Sequence, residues 1–391
     1  MEVTGVRLLL PGNVRHNSGG NVYNAALVRA LADLGVAAES SGVDGDWPVG
    51  SPEDRRGLGR LLNETADAGR VTIVDSLVAC GAPDELEAAA AAGMPAWILL
   101  HMPLAGHPEL ERRALQAAAG VICISGTGAA DLRERHRPDR LGGLDSIGVA
   151  LPGTEPAPLA VGSEPPHLLA LAVLLPNKDQ LLLLHALSGL TDLAWTATLA
   201  GSDTADPAYA ALLRRETEHL GVAGRVGLPG ELRGAGLDAE WAAADLSLLI
   251  SRAETYGLVV TESLARGIPV IVRQGTGAVE ALAAGAPAAA SNQPAAAASN
   301  QPAAAASNQP AGAPAAEAGT SPLPGVAVVL AEDPAPLAAV LRRWLNEPEL
   351  RAQWRSAARA ARERLPGWDA TARSVLAILE TGGSGGPPRQ T

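Results

Sequence analysis

The sequence predicts an α/β protein built from two Rossmann-like halves, and three observations carry that expectation. Short apolar runs of the buried-strand kind alternate with helical patterns along most of the chain, which is the arrangement of parallel sheets covered by helices. The chain has 391 residues and 47% hydrophobic content, enough for two full cores. A proline-rich stretch, residues 152–166, interrupts the alternation and reads as the linker between the halves.

Taken in order, residues 6–10 read as the first strand and 11–20 as a loop closing in Ser18-Gly19-Gly20, with a helix over 21–33. Paired glycines at a helix start permit close backbone approach, whereas Gly-x-Gly-x-x-Gly is absent and a nicotinamide fingerprint is unsupported. Val22, Tyr23, Ala26, Leu27, Ala30 and Leu31 keep helical spacing, which places Tyr23 in the core. Asp44-Gly45-Asp46 spells a metal-binding Asp-x-Asp but lies in a turn-rich stretch before Trp47-Pro48, so it reads as a turn. Residues 71–74 and 97–100 are further strands, with Asp75 and His101 at their carboxyl ends, directed towards a cleft. His107 and Glu109 do not make a zinc spacing.

Residues 121–125 form a buried strand, a helix starts at Gly126-Thr127-Gly128, and 146–151 end the first half. The second half opens with the apolar run 167–175, then Pro176-Asn177-Lys178-Asp179 and a leucine-rich helix. Lys178 is the only lysine in the chain. Residues 199–203 and 224–230 follow as a strand end and a strand with its loop. Residues 245–250 are a short apolar strand and 258–265 a helix, so the loop between them lies at a strand's carboxyl end, where open α/β sheets bind ligands. Gly257 lets that helix begin with free N–H groups facing the loop, an anion site. Glu254 in the loop and Glu262 one turn into the helix flank it. Either acid alone would be a solvated charge, and both would repel bare phosphate. Together beside an anion site they suit a ligand that also carries hydroxyls, since a carboxylate accepts hydrogen bonds from neighbouring OH groups.

Beyond this, residues 287–310 repeat Pro-Ala-Ala-Ala-Ala-Ser-Asn-Gln. The prolines prevent a continuous helix and the composition offers little apolar area, so a disordered insertion over 287–324 is expected. Gly325 resumes a strand pattern, two helices follow, the last helix begins within 365–371, and 382–391 read as a flexible tail.

Composition bounds the partners. A net charge of −12 without a basic patch argues against nucleic acid. Cys80 and Cys123 sit in apolar runs and read as reduced core residues. The amino terminus lacks a basic n-region and cleavage site, and no apolar run approaches the length of a membrane span, so a cytoplasmic protein without a transmembrane segment is expected.

Glu254 and Glu262, with seven residues between them, resemble the E-x7-E motif of retaining glycosyltransferases of the GT-B fold, specifically glycosyltransferase family 4. The family's usual run resembles Glu-x-Phe-Gly-Leu-x-x-x-Glu-Ala-x-Ala-x-Gly-x-Pro-Val-Val; here Tyr256 replaces the Phe and Ser263 the first Ala. The resemblance spans most of the chain, with more specific motifs in the second half. It implies two Rossmann-like domains facing a cleft and a C-terminal helix crossing back to the N-terminal domain. The expected divisions are an acceptor-side domain over 1–160, a donor domain over 161–365, the crossover helix over 366–381 and the tail.

The resemblance also implies site residues. Glu254 would hold hydroxyls of the donor sugar, the amides near Gly257, Leu258 and Val259 the diphosphate, and Glu262 the ribose, with Tyr256 among the donor-binding residues. Gly19 and Gly20 would face the donor phosphates, His101 would stand beside the sugar, and Lys178 would neutralise the diphosphate. The catalytic set is then Glu254, His101 and Lys178, with no metal and no cofactor beyond the nucleotide-sugar substrate. The sequence also departs from the family pattern outside that run. Ala172-Val173-Leu174 stands where Gly-Arg-Leu is usual, so the clamp's Arg is missing and Arg252 is a candidate substitute. Thr276-Gly277-Ala278-Val279-Glu280, read as a loop at the next strand end, resembles Gly-Gly-x-x-Glu with Thr for the first Gly. The implied activity is transfer of a hexose from a nucleotide-diphosphate sugar, with retention, to a small-molecule, lipid or glycan acceptor. A sugar-nucleotide-binding protein without turnover and a nucleotide-sugar epimerase on the same fold are the alternatives.

Overall fold

The structure, a computed structural model, describes residues 3–13, 18–64, 69–104, 106–136, 146–286 and 323–382. Most of the expected insertion, 287–322, and the expected tail beyond 382 lie outside the described residues. The first half alternates β1 (Gly5–Pro11), α1 (Gly19–Asp33), β2 (Ala37–Val43), α2 (Pro52–Leu62), β3 (Arg70–Asp75), α3 (Ser76–Gly81), α4 (Pro83–Ala91), β4 (Trp97–Leu100), α5 (Pro108–Ala117), β5 (Gly120–Cys123), α6 (Gly126–Arg135) and β6 (Ile147–Val149). The second half runs β7 (His167–Leu171), α7 (Gln180–Ser188), β8 (Thr196–Ala200), α8 (Pro207–His219), β9 (Val226–Gly227), α9 (Gly234–Ala243) and β10 (Leu246–Leu249). It continues through α10 (Leu258–Ala265), β11 (Val270–Arg273), α11 (Ala278–Ala284), β12 (Gly325–Val328), α12 (Ala335–Asn346), α13 (Pro348–Arg362) and α14 (Trp368–Gly382).

The strands make two parallel six-stranded sheets, ordered β2-β1-β3-β4-β5-β6 and β12-β11-β10-β7-β8-β9. Central strands are covered on both faces, which is why β4, β5, β10 and β11 are buried at every position and are largely apolar, with Ser247 and Arg273 the polar exceptions. The edge strand β2, Ala-Ala-Glu-Ser-Ser-Gly-Val, is polar and largely exposed, as an uncovered edge must be. Each sheet reverses its winding once, between β1 and β3 in the first and between β7 and β10 in the second. Those reversals leave crevices at the carboxyl ends of the strands.

The crossover expected of the last helix is present. α14 returns to the first half and lies against α1, where Trp368 meets Tyr23 edge to face at 5.4 Å and Thr371 Oγ1 donates to the Leu151 carbonyl at 2.7 Å. Tyr23 is fully buried, as its helical spacing predicts, and its hydroxyl donates to the Ala150 carbonyl at 3.0 Å. Several boundaries differ from the sequence reading, and two of them bear on the cleft. α1 starts at Gly19, because Ser18 caps it by accepting from the Asn21 amide at 3.2 Å, so the glycine pair is its first turn. Glu280 lies in the first turn of α11 rather than in a loop. No helix among the described residues is long and apolar enough to cross a membrane.

Candidate functional site

The loops after β1, β3, β7 and β10 are the ones that the two winding reversals bring together, and they carry most of the residues singled out above. On the second-half side, the loop after β7 is tied to the loop after β10 by the Arg252 amide, which donates to the Asn177 carbonyl at 2.8 Å. This tie places Lys178 beside Glu254, and the two pair at 2.9 Å with side chains only 21% and 18% exposed. The chain's single lysine and the first acid of the E-x7-E motif are thus each other's partners in this structure.

Asp179 explains how Lys178 is held. It adopts the left-handed backbone, φ 57°, normally left to glycine, and its carboxylate is buried. Arg273, itself buried, donates to Asp179 and to the Ile250 and Leu330 carbonyls, while Arg252 reaches Asp179 at 3.2 Å and Glu332 at 2.9 Å. Arg252, the candidate substitute for the missing Arg of the phosphate clamp, is therefore already committed to two carboxylates.

After Glu254 the chain turns through Gly257, at φ 90°, into α10, which no side chain caps. A Cβ at Gly257 would lie 2.6 Å from Leu249 Cδ2, so only glycine fits both the angle and the space. The first-turn amides of α10 consequently face the cleft without a capping oxygen, the arrangement that favours an anion. The Tyr256 ring is 1% exposed, inside the core, so what this residue presents to the cleft is its main chain. Glu262 follows one turn into α10, partly exposed. Burial pushes its carboxyl above the usual carboxylate range, and Arg266, which stacks 4.5 Å over the Trp241 ring, opposes that shift.

On the first-half side, α1 brings its amino terminus to the same place. A Cβ at Gly19 would lie 3.6 Å from Leu258 Cδ1, and one at Gly20 3.4 Å from the His101 ring. The amino termini of α1 and α10 therefore meet across the cleft. His101 Nε2 is 2.9 Å from Asn24 Oδ1 and 3.6 Å from Asp75 Oδ2, two acceptors that favour the proton on Nε2. Burial holds the imidazole below its ordinary value against the pull of Asp75, so it is neutral at neutral pH. Asn24 and Asp179 were not singled out from the sequence. A signal for Asp179 lay in its place after Lys178, where the resembled family usually has Gly; Asn24 gave none.

Chemically, two helix termini and Lys178 offer positive potential for a diphosphate, and Glu254 and Glu262 offer acceptors for hydroxyls. Among the described residues no group of three or more His, Cys, Asp or Glu side chains is gathered for a metal ion.

A sequence model of the family described as glycosyl transferases group 1 matches residues 154–309, the part that holds Lys178, Glu254 and Glu262. No curated protein matches the chain in sequence. Among solved structures, the chain is similar to HepE of Anabaena in complex with UDP and glucose, at 15% identity, with 97% of this chain and 100% of that chain covered and a TM-score of 0.67. It is similar to sucrose-phosphate synthase of Thermosynechococcus elongatus at 17% identity, covering 97% and 98%, with a TM-score of 0.68. The catalytic domain of starch synthase IV of Arabidopsis thaliana, bound to ADP and acarbose, aligns at 12% identity over 98% and 99% with a TM-score of 0.67. The fold is that of GT-B glycosyltransferases.

Proposed function

We propose that this protein transfers a hexose from a nucleotide-diphosphate sugar to an acceptor, with retention of anomeric configuration and without a metal ion, as family 4 glycosyltransferases do. The observation that carries the reading is the meeting of the α1 and α10 amino termini beside the Lys178–Glu254 pair. The group 1 match over 154–309 and the likeness to structures solved with UDP or ADP support it. In this reading the diphosphate lies between Gly19-Gly20 and the amides of Gly257, Leu258 and Val259, Glu262 accepts from the ribose, and Glu254 accepts from the transferred sugar. Lys178 then divides its charge between Glu254 and the diphosphate, and neutral His101 stands beside the sugar. Retention needs no enzymic nucleophile: the C1–O bond to the diphosphate breaks, the acceptor oxygen bonds to C1 on the same face, and its proton passes to the leaving diphosphate.

One observation favours a second reading, a sugar-nucleotide-binding protein without turnover. Lys178 and Arg252 are both already paired with carboxylates, which leaves the diphosphate to be held mainly by amides. Incubating the protein with a panel of nucleotide sugars, with calorimetry for binding and NMR for slow hydrolysis and the anomeric configuration released, separates the readings. Binding with release of the retained anomer supports transfer, binding alone supports the second reading, and no binding of any nucleotide sugar defeats both.

A further inference from the structure

α6 starts directly after β5, and its N-cap Ser125 accepts from the Gly128 amide at 2.9 Å. The two preceding amides do not turn to the solvent or to their own loop. They donate to one carboxylate from the other half of the molecule: Gly126 N to Glu280 Oε1 at 2.8 Å and Thr127 N to Glu280 Oε2 at 2.9 Å, with Thr127 Oγ1 adding a third bond to Oε2 at 2.9 Å. A carboxylate at a helix amino terminus meets both the orphan donors and the positive end of the helix dipole, so this is a strong and directional contact. Small residues make it possible. A Cβ at Gly126 would lie 3.1 Å from Glu280 Oε1, and one at Gly128 would lie 3.2 Å from Thr255 Cγ2.

Glu280 is also tied to the loop that carries Glu254. The Gly277 amide donates to the Glu254 carbonyl at 2.7 Å, and the approach is so close that a Cβ at Gly277 would fall 1.8 Å from the Thr255 oxygen. The loops over 254–257 and 276–277 therefore behave as one piece, and Glu280 extends that piece to the first half.

We propose that Glu280 is a positioning residue: by clasping the amino terminus of α6 it holds the cleft shut, and through Gly277 it sets where the Glu254 loop stands relative to Gly19, Gly20 and His101. Its consequence for turnover rests on the sugar-transfer reading. The clasp itself concerns only how the halves meet and is tested without that reading.

The test compares wild type with Glu280→Ala, Glu280→Gln and Thr127→Val. In ligand-free protein, amide hydrogen exchange over 126–128 and the small-angle scattering radius of gyration are measured. Glu280→Ala is expected to raise exchange at Gly126 and Thr127 at least about tenfold, the scale of a lost charge-assisted hydrogen bond, and to enlarge the radius of gyration. Glu280→Gln, which keeps one acceptor, and Thr127→Val, which removes one donor, should fall between. Unchanged exchange and radius in Glu280→Ala overturn the clasp, and both readouts stand whether or not the wild type transfers sugar. With a nucleotide sugar that the wild type turns over, Glu280→Ala should lower kcat by a larger factor than it weakens calorimetric UDP affinity, because the α10 amides and Lys178 still hold the diphosphate from the second half. Raised exchange with unchanged kcat would make Glu280 a structural contact and overturn the positioning role.

Discussion

Replacing Lys178 by Met and Glu254 by Gln, singly and together, takes apart the ion pair at the centre of the cleft. At 2.9 Å and an effective dielectric constant of about 20, two unit charges attract by about 6 kcal/mol before desolvation is counted. With the side chains 21% and 18% exposed, much of that attraction is offset by the water each end has lost. The net value lies between those of exposed and buried pairs, about 1–2 kcal/mol. Denaturant titration should show each single variant less stable by about that amount. The double variant should lose less than the two together, by about 1 kcal/mol, because it leaves no charge stranded. Calorimetry with UDP then separates the partners. Lys178→Met should weaken UDP about tenfold or more, the scale of a charged hydrogen bond. Glu254→Gln should bind UDP at least as tightly as wild type, since it frees the lysine, while losing turnover of the intact donor. Strict additivity of stability would refute the pairing. A Glu254→Gln variant that weakens UDP as much as Lys178→Met would refute the division of roles.

Glu262→Gln should act in opposite directions on the free and the bound protein. Burial raises the folded-state pKa of Glu262 above its unfolded value, so the ionised carboxyl costs stability at neutral pH, and the cost is removed as pH falls through the folded pKa. Thermal melts should show the variant more stable than wild type at neutral pH, with the gain fading in acid, while UDP affinity falls about ten- to a hundredfold; a loss of stability at neutral pH would contradict the sign. Gly257→Ala combines a left-handed φ of 90° with a Cβ 2.6 Å from Leu249 Cδ2, and should cost about 1–3 kcal/mol or more in thermal unfolding. The same substitution should weaken UDP by displacing the α10 amides, and a variant with wild-type stability would show that the loop relaxes freely.

The fold was legible where local pattern and burial agree. Strand 97–100 and helix 258–265 are found at the residues expected, because a parallel strand buried on both faces leaves an unbroken apolar run and Gly257 marks the helix start. α1 begins before the expected position because capping by Ser18 is a local geometry that glycines conceal. In the site, Lys178 and Glu254 each stood out singly, by rarity and by motif, but their meeting depends on β7 lying next to β10, a matter of strand order rather than of spacing. Asp179 with Arg273 and Asn24 with His101 are separated by 94 and 77 residues, and nothing local announces such pairs. Tyr256 stood out only through its place in the motif, and the burial of its ring inside the core is a matter of tertiary packing that the motif does not carry.

The position of α14 also governs the order in which the molecule can be completed during synthesis. Tyr23 emerges from the ribosome well before Trp368, and the surface of α1 that takes Trp368 stays uncovered until α14 has been made. The first sheet is finished by a helix translated after the second sheet, so its final stability is gained only once both sheets have been made. A nascent chain halted after β12 would carry a formed second sheet beside an apolar flank on the first, an open target for chaperones and for aggregation.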